Sequence, residues 1–358
     1  MVLLAPQLGA RYCDRGGAID GVLGDRKTMT LISVRPEGLY CEAGGFYLDP
    51  WRSVETALIT HAHADHARSG SQRYIATARS AGILRKRLGE TICLHGVEYG
   101  ERLKLGDTWV SFHPAGHVLG SAQIRVEGQG EVWVVSGDYK RCADPTCEPF
   151  EVVPCDVFIT EATFGLPIYR WESGETTARR IFDWWQSDRD RPAILFCYAF
   201  GKAQRVLSEL AKFTDRPVYV HGAIAALNDI YRDQGVALLP TITTSEVPRD
   251  HRYQGDLILA PPSAHRSTWM KRFKLPQTAF ASGWMSVRGA RRRRGYERGF
   301  VLSDHADWSS LIRTVEATGA KQVYVTHGQN DVLSRYLQEV CGIAAQPLKT
   351  LFEGEADI

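Results

Sequence analysis

His61, His63, Asp65 and His66 fall within one hexad, HAHADH, directly after the apolar run Ala57, Leu58, Ile59. Imidazole and carboxylate are the ligand types that suit zinc or manganese, and two histidines one residue apart project to the same side of an extended backbone. They can share one ion, while Asp65 and His66, where the chain turns, can face a second ion beside it. A chain with this hexad at a strand end must fold so that its remaining donors converge on the same edge.

Those donors sit in similar settings. From Thr30 onward short apolar runs alternate with glycine-bearing turns, at 31–34, 38–51, 56–60, 108–117, 131–140 and 156–164, and read as strands. His117 follows the run at 108–114, Asp138 the run at 131–135, and His327 the run at 322–326. A two-ion centre needs about four ligands per metal, and a carboxylate can bridge with its two oxygens. The inventory places His61, His63 and His117 on one ion, Asp65, His66 and His327 on the other, and Asp138 between them.

At 358 residues two domains, or one domain with a large insertion, are expected. The apolar fraction of 44% and charged fraction of 23% are those of a folded, soluble protein. The run 193–200 is apolar throughout and precedes a helical pattern at 203–213 with Val206, Leu207, Leu210 and Ala211 on one face. This is a strand-to-helix unit of a parallel sheet. A second helix is expected at 309–318, ahead of the strand at 322–328. The segment 167–298 separates two regions that both carry candidate donors and reads as an inserted domain, while the glycine-rich residues 1–27 read as an extension.

Eight cysteines, at 13, 41, 93, 142, 147, 155, 197 and 341, show no CxxC pair and signal neither a thiolate zinc knuckle nor a disulfide framework. No run approaches the roughly 20 apolar residues that span a bilayer, and no basic stretch precedes the opening apolar segment. A cytoplasmic location without membrane contact is expected. Between Arg266 and Arg298 ten basic residues, Arg288, Arg291, Arg292, Arg293 and Arg294 among them, stand against the single acid Glu297. Since the whole chain carries +2, the remainder is acidic. Trp269, Phe273, Phe280, Trp284 and Tyr296 are interleaved with this charge, as in a groove that neutralises phosphates and stacks bases. The bland reading is a solvated basic face with ordinary core aromatics.

With these residues in place the chain resembles the metallo-β-lactamase superfamily, and more narrowly its β-CASP nucleases. The resemblance rests on THAHADH, His117 and Asp138, then Glu161 in TEATFG, GKAQ at 201–204, His305 in LSDHAD and His327 in VTHG. It implies an α/β fold, an αββα sandwich whose active site lies at one sheet edge, with an inserted β-CASP domain containing a parallel sheet. The corresponding division is 28–166 and 299–358 for the metallo-β-lactamase domain and 167–298 for the insertion. It also implies phosphodiester hydrolysis by two divalent ions, zinc or manganese, that activate a water and stabilise charge on phosphorus.

In that pattern Asp138 and Asp65 serve catalysis as well as binding metal, and His305 contacts the scissile phosphate and protonates the leaving oxygen. Glu161 orients its neighbours, and Asp49 fixes a ligand imidazole. Taken singly, Glu161 also reads as a strand-end acid, His305 as a helix cap and Asp49 as a turn residue. Gly201, Lys202 and Ser303 are candidate phosphate contacts, or parts of ordinary turns. His95, His113, His221, His251 and His265 read as surface or packing residues.

DNA and RNA members divide the family. His327 matches the RNA type, as in ribonuclease J and mRNA 3′-end processing enzymes. The opening pattern at 37–51 and the SGW element ahead of the arginine run look like bacterial ligase-associated DNA exonucleases, which points to DNA. The expectation is a 5′-to-3′ single-strand DNA exonuclease in DNA repair, with an ATP-dependent DNA ligase and a helicase as implied partners. An RNA nuclease and a small-molecule metallohydrolase are the alternatives.

Overall fold

A computed structural model describes residues 31–248, 250–287 and 295–350, which form one compact unit. The extension expected at 1–27 lies outside the described residues, as do Arg288 and Arg291 to Arg294.

The chain is α/β, with three sheets. The first runs in sequence order through β1 (Ser33–Arg35), β2 (Gly38–Cys41), β3 (Phe46–Leu48), β4 (Thr56–Leu58), β5 (Arg73–Thr77) and β6 (Leu94–Val97), with helix α1 (Ala81–Leu88) between the last two. The second begins with β7 (Leu103–Leu105), β8 (Thr108–Pro114), β9 (Ala122–Gly128), β10 (Glu131–Val135) and β11 (Val157–Ala162). β9 and β10 pair antiparallel with Gly128 opposite Glu131. The two intervening residues, Gln129 and Gly130, both have positive φ, as a type I′ hairpin turn requires.

After β11 the chain leaves this sheet. It forms α2 (Gly174–Gln186), β12 (Ala193–Phe196), α3 (Lys202–Leu210), β13 (Val218–Val220), α4 (Gly222–Asp233), β14 (Thr241–Thr243), β15 (Leu257–Ala260), β16 (Gln277–Ala281) and β17 (Arg298–Phe300). These strands make a third sheet in the order β14-β13-β15-β12-β16-β17, parallel at every pairing. Its central strands are apolar at consecutive positions because both faces are covered. Ala193, Leu195, Leu257 and Leu259 pack with Ile181 and Trp185 of α2 and Val206, Leu207 and Leu210 of α3. Ile194, Phe196, Ile258 and Phe280 pack on the other face with Phe273 and Tyr296. Phe273, Phe280 and Tyr296, expected in a base-stacking groove, are therefore core residues here.

The chain then forms α5 (Trp308–Thr318) and returns to the second sheet as β18 (Gln322–Gly328), pairing parallel with β11, before α6 (Asn330–Glu339) and β19 (Ala344–Pro347). Asp307 caps α5 by accepting the Ser310 N–H, and Gly319 ends it in the left-handed conformation. Leu311 and Val315 of α5 and Leu333 and Leu337 of α6 bury against Phe158, Val323 and Val325. Truncating one such leucine to alanine costs about 2–5 kcal/mol.

Among the described residues no helix is long and apolar enough to cross a membrane, and the described cysteines are free thiols.

Candidate metal centre

Each donor leaves the end of a strand or the turn beyond it, where the backbone no longer has to satisfy a ladder. His61, His63, Asp65 and His66 follow β4, His117 lies in the turn from β8 to β9, and Asp138 follows β10. His327 is placed differently. In the pairing of β11 with β18, Glu161 faces Thr326 and Ala162 faces Gly328, so His327 is the extra residue of a bulge, with φ +57°. A bulge re-aims one side chain, and a non-glycine residue at positive φ is held by its surroundings. Gly328 makes this possible, since a Cβ there would lie 2.3 Å from the Ala162 carbonyl oxygen.

The side chains converge as two donor groups. His61, His63, His117 and Asp138 form one and Asp65, His66 and His327 the other, with the offered atoms of each group within 4.8 Å of one another. His63 Nδ1 lies 3.1 Å from His61 Nε2 and 3.0 Å from His117 Nε2. Asp138 Oδ2 stands between the groups, 3.4 Å from His61 Nε2 and 3.5 Å from His66 Nε2. The rings of His66 and His327 stack 4.8 Å apart. Asp138 Oδ1 is buried with no hydrogen bond among the described residues. A cation would satisfy that oxygen, so these nitrogen and carboxylate donors can hold divalent metal ions.

Around the donors, hydrogen bonds fix which nitrogen of three of the five rings faces inward. His66 Nδ1–H donates to Asp49 Oδ2 at 2.7 Å, and His117 Nδ1–H donates to the Asp304 carbonyl oxygen at 2.7 Å. The Thr60 hydroxyl donates to Asp49 Oδ2, which leaves its oxygen to accept from His61 Nδ1–H at 3.1 Å. Asp49 thus orients His66 directly and His61 through Thr60, and it does so with φ +40°. All three imidazoles present Nε2 to the centre, the arrangement that such outer partners impose on metal-binding histidines.

The electrostatics follow from burial and from the carboxylates. Burial, with the His66 charge nearby, lowers His61 to about 3 and His327 to about 4, and burial with the neighbouring rings holds His117 well below its ordinary value. For His66 burial acts the same way, but Asp138 and Asp65 outweigh it and raise the imidazole well above 6.5. Burial opposes ionisation of Asp138, yet His66 and His305 keep its carboxyl well below the usual range. Beside the pair, His305 Nδ1–H donates to Glu161, 2.9 Å from Oε2. Burial and Asp138 raise the Glu161 carboxyl against the pull of His305.

The structure turns the other expected phosphate contacts inward. Lys202 is buried with Nζ 3.2 Å from Asp304 Oδ2, the Gly201 N–H donates to Gln204 Oε1, and the Ser303 hydroxyl accepts the His305 N–H. Other histidines stay out of the centre: His113 meets Glu151, His221 caps α4, and His265 packs on Phe196 and Tyr296. Thr60, Lys140, Asp144, Arg205 and Asp304 support the site without having been expected to. Each lies close in sequence to a candidate site residue, Arg205 being three from Lys202, but no spacing marks a threonine or an ion pair as its support.

No family model matches the chain. It is 30% identical over 306 residues to a probable DNA ligase of Opitutus terrae, a match covering 84% of this chain and 30% of that protein. It is 25% identical over 211 residues to an RNase J-like protein of Methanocaldococcus jannaschii, covering 50% of each. The chain therefore spans half or less of the length of these relatives. A crystal structure of a protein of unknown function from Enterococcus faecalis V583 superposes with a TM-score of 0.57 at 13% identity, over 83% of this chain and 80% of that one. That likeness concerns the fold alone.

Proposed function

The chain belongs to the metallo-β-lactamase superfamily, in its β-CASP branch, and on that premise we propose that it is a metal-dependent nuclease that hydrolyses DNA phosphodiesters, acting 5′ to 3′ on single strands in DNA repair. The observation that carries this reading is the pair of donor groups sharing Asp138 Oδ2. In this reading 28–166 with 299–358 form an αββα metallo-β-lactamase domain. Residues 167–298 form the β-CASP insertion, whose edge strand β17 continues to Phe300.

His61, His63, His117 and Asp138 hold one divalent ion, and Asp65, His66, His327 and Asp138 the other. Bound there, the ions supply Lewis acidity toward a phosphoryl oxygen and make a water nucleophilic near neutral pH. Asp138 fixes the spacing of the two positions. Asp49 and Thr60 hold the rings of His66 and His61. His305, with Nδ1 committed to Glu161, gives the proton on Nε2 to the leaving oxygen, and Glu161 steadies the imidazolium before transfer. Arg288 and Arg291 to Arg294, together with Trp284, bind the strand's phosphates and bases.

DNA is favoured because the relative matched over most of this chain is called a DNA ligase and carries the matching stretch within a longer polypeptide. That arrangement suits a partnership with ligase and helicase on DNA ends in the cytoplasm. His327 within the second donor group supports the alternative, an RNA nuclease, as does the RNase J-like relative.

The deciding experiment incubates the protein with matched end-labelled single-stranded DNA and RNA, adding zinc or manganese in turn. Metal-dependent shortening of 5′-phosphorylated DNA from that end supports the proposal. Degradation of RNA alone transfers the assignment to the second reading, and cleavage of neither strand by metal-loaded protein overturns both.

A further inference from the structure

Five charged side chains outside the donor groups pack together beside them. Lys140, Lys202 and Arg205 are each 1% exposed and Asp304 is 3% exposed. Asp304 Oδ2 lies 3.2 Å from Lys202 Nζ, and its Oδ1 lies 3.4 Å from Arg205 Nη1. Asp144 Oδ2 lies 3.4 Å from Arg205 Nε and is also gripped by Lys140. Three parts of the chain meet here: the loop after β10, the first turns of α3 in the parallel-sheet segment, and the turn after β17. Burying charge is seldom the cheapest way to gain stability, since an apolar cluster of the same shape does as well or better. Such a network is better understood through what it holds in place.

What it holds is His117. The Asp304 carbonyl oxygen accepts His117 Nδ1–H at 2.7 Å, and Lys140 Nζ donates to the His117 carbonyl oxygen at 3.3 Å. The start of α3 is pressed against the next residue as well. Gly201, with φ +86°, precedes the helix, and a Cβ there would lie 2.4 Å from Val118 Cγ1. Arg205 also donates to the Ser303 carbonyl oxygen at 2.7 Å, on the approach to His305.

We infer that Asp304 is a positioning residue for the metal centre: Lys202 and Arg205 of the parallel-sheet segment clamp its side chain, and its main-chain carbonyl thereby sets the tautomer and tilt of His117. The parallel-sheet segment is in this way also a determinant of how tightly the first donor group binds its ion. The inference rests on reading the donor groups as a metal centre, and it makes Lys202 an internal tether rather than a phosphate contact.

The test measures binding of manganese and of zinc to the full chain by titration calorimetry, alongside thermal melting of chelator-treated protein. Lys202→Gln and Asp304→Asn should weaken one of the two binding steps by on the order of tenfold and leave the other unchanged, and Lys202→Arg should restore most of the loss. Folded variants with both steps at wild-type affinity would overturn the inference. So would equal weakening of both steps in proportion to lost thermal stability, or failure of all three variants to fold, since either result assigns the network to stability alone. Wild-type protein that takes up neither ion would be a separate result and would sink the metal-centre reading itself.

Discussion

Asp49 and His66 are joined by a 2.7 Å hydrogen bond from Nδ1–H to Oδ2, and the same carboxylate also accepts the backbone N–H and hydroxyl of Thr60. One buried acid therefore governs an imidazole in each donor group, directly for His66 and through a hydroxyl for His61. Thr60→Val, which keeps the shape and removes the hydroxyl, should weaken binding at the His61 position by on the order of tenfold, and Thr60→Ser should not. Asp49→Ala should weaken both positions. Calorimetric titration with manganese separates the two patterns.

Asp138 and His305 should fail in different ways. Asp138→Ala removes the oxygen that lies within 3.5 Å of both His61 and His66, so cleavage and metal content should fall together. His305→Ala should keep both ions and lose rate by roughly 10²–10⁴-fold, the range of general acid–base contributions. Elemental analysis beside single-turnover cleavage distinguishes them. A metal-depleted His305 variant would make that residue a ligand.

Metal binding should release a proton from His66. Its neighbours Asp138 and Asp65 raise it well above 6.5 despite burial, whereas His61 is lowered to about 3 and His327 to about 4 and both are already neutral at pH 7. A ligand nitrogen must be unprotonated, so affinity should fall as pH drops. Titrations in buffers of different ionisation enthalpy should report about one proton released per protein at pH 7. Release of none would contradict the charged state of His66.

Acid should destabilise the fold through Asp144. Burial opposes its ionisation, but Lys140 and Arg205 prevail and hold its carboxyl below the ordinary 3.8. The unfolded chain then binds the proton first, so this contribution is complete above the unfolded value and is lost as pH falls through the lower folded one. Asp144→Asn should lower stability at neutral pH and flatten the loss below about pH 4. Denaturant melts of chelator-treated protein across roughly pH 3 to 7 test the slope.

The basic run should act through phosphates. Replacing Arg291 to Arg294 with alanine should weaken binding to a single strand and reduce the salt slope by up to roughly 0.7 for each phosphate that is no longer neutralised. An unchanged slope across a salt series would reassign the run to a solvated face.

The donors were legible in sequence because each is a chemically costly residue at the end of an apolar run, where a strand delivers it to one edge. The parallel sheet was legible in Ala193 to Phe196, whose unbroken apolarity requires cover on both faces. What could not be read was the environment of the charges. Lys202 beside Gly201 looks like a phosphate clamp, and only the approach of Asp304, far along the chain, makes it an internal pair. Phe280 and Tyr296 look like stacking surfaces amid basic residues, yet the fold sends both into the core. The bulge at His327 depends on register with β11, which no local pattern encodes.

That register has a consequence for synthesis. Val157 of β11 takes its partner Gln322 of β18 only after the whole parallel-sheet segment has been made. Until then β11 has only β10 as a ladder partner, and His327 is missing from its donor group. A nascent chain on the ribosome, or one cut short before β18, would hold most of the ligands yet be unable to assemble the complete centre. On the proposed function, a chain built this way has no complete centre until β18 has been translated.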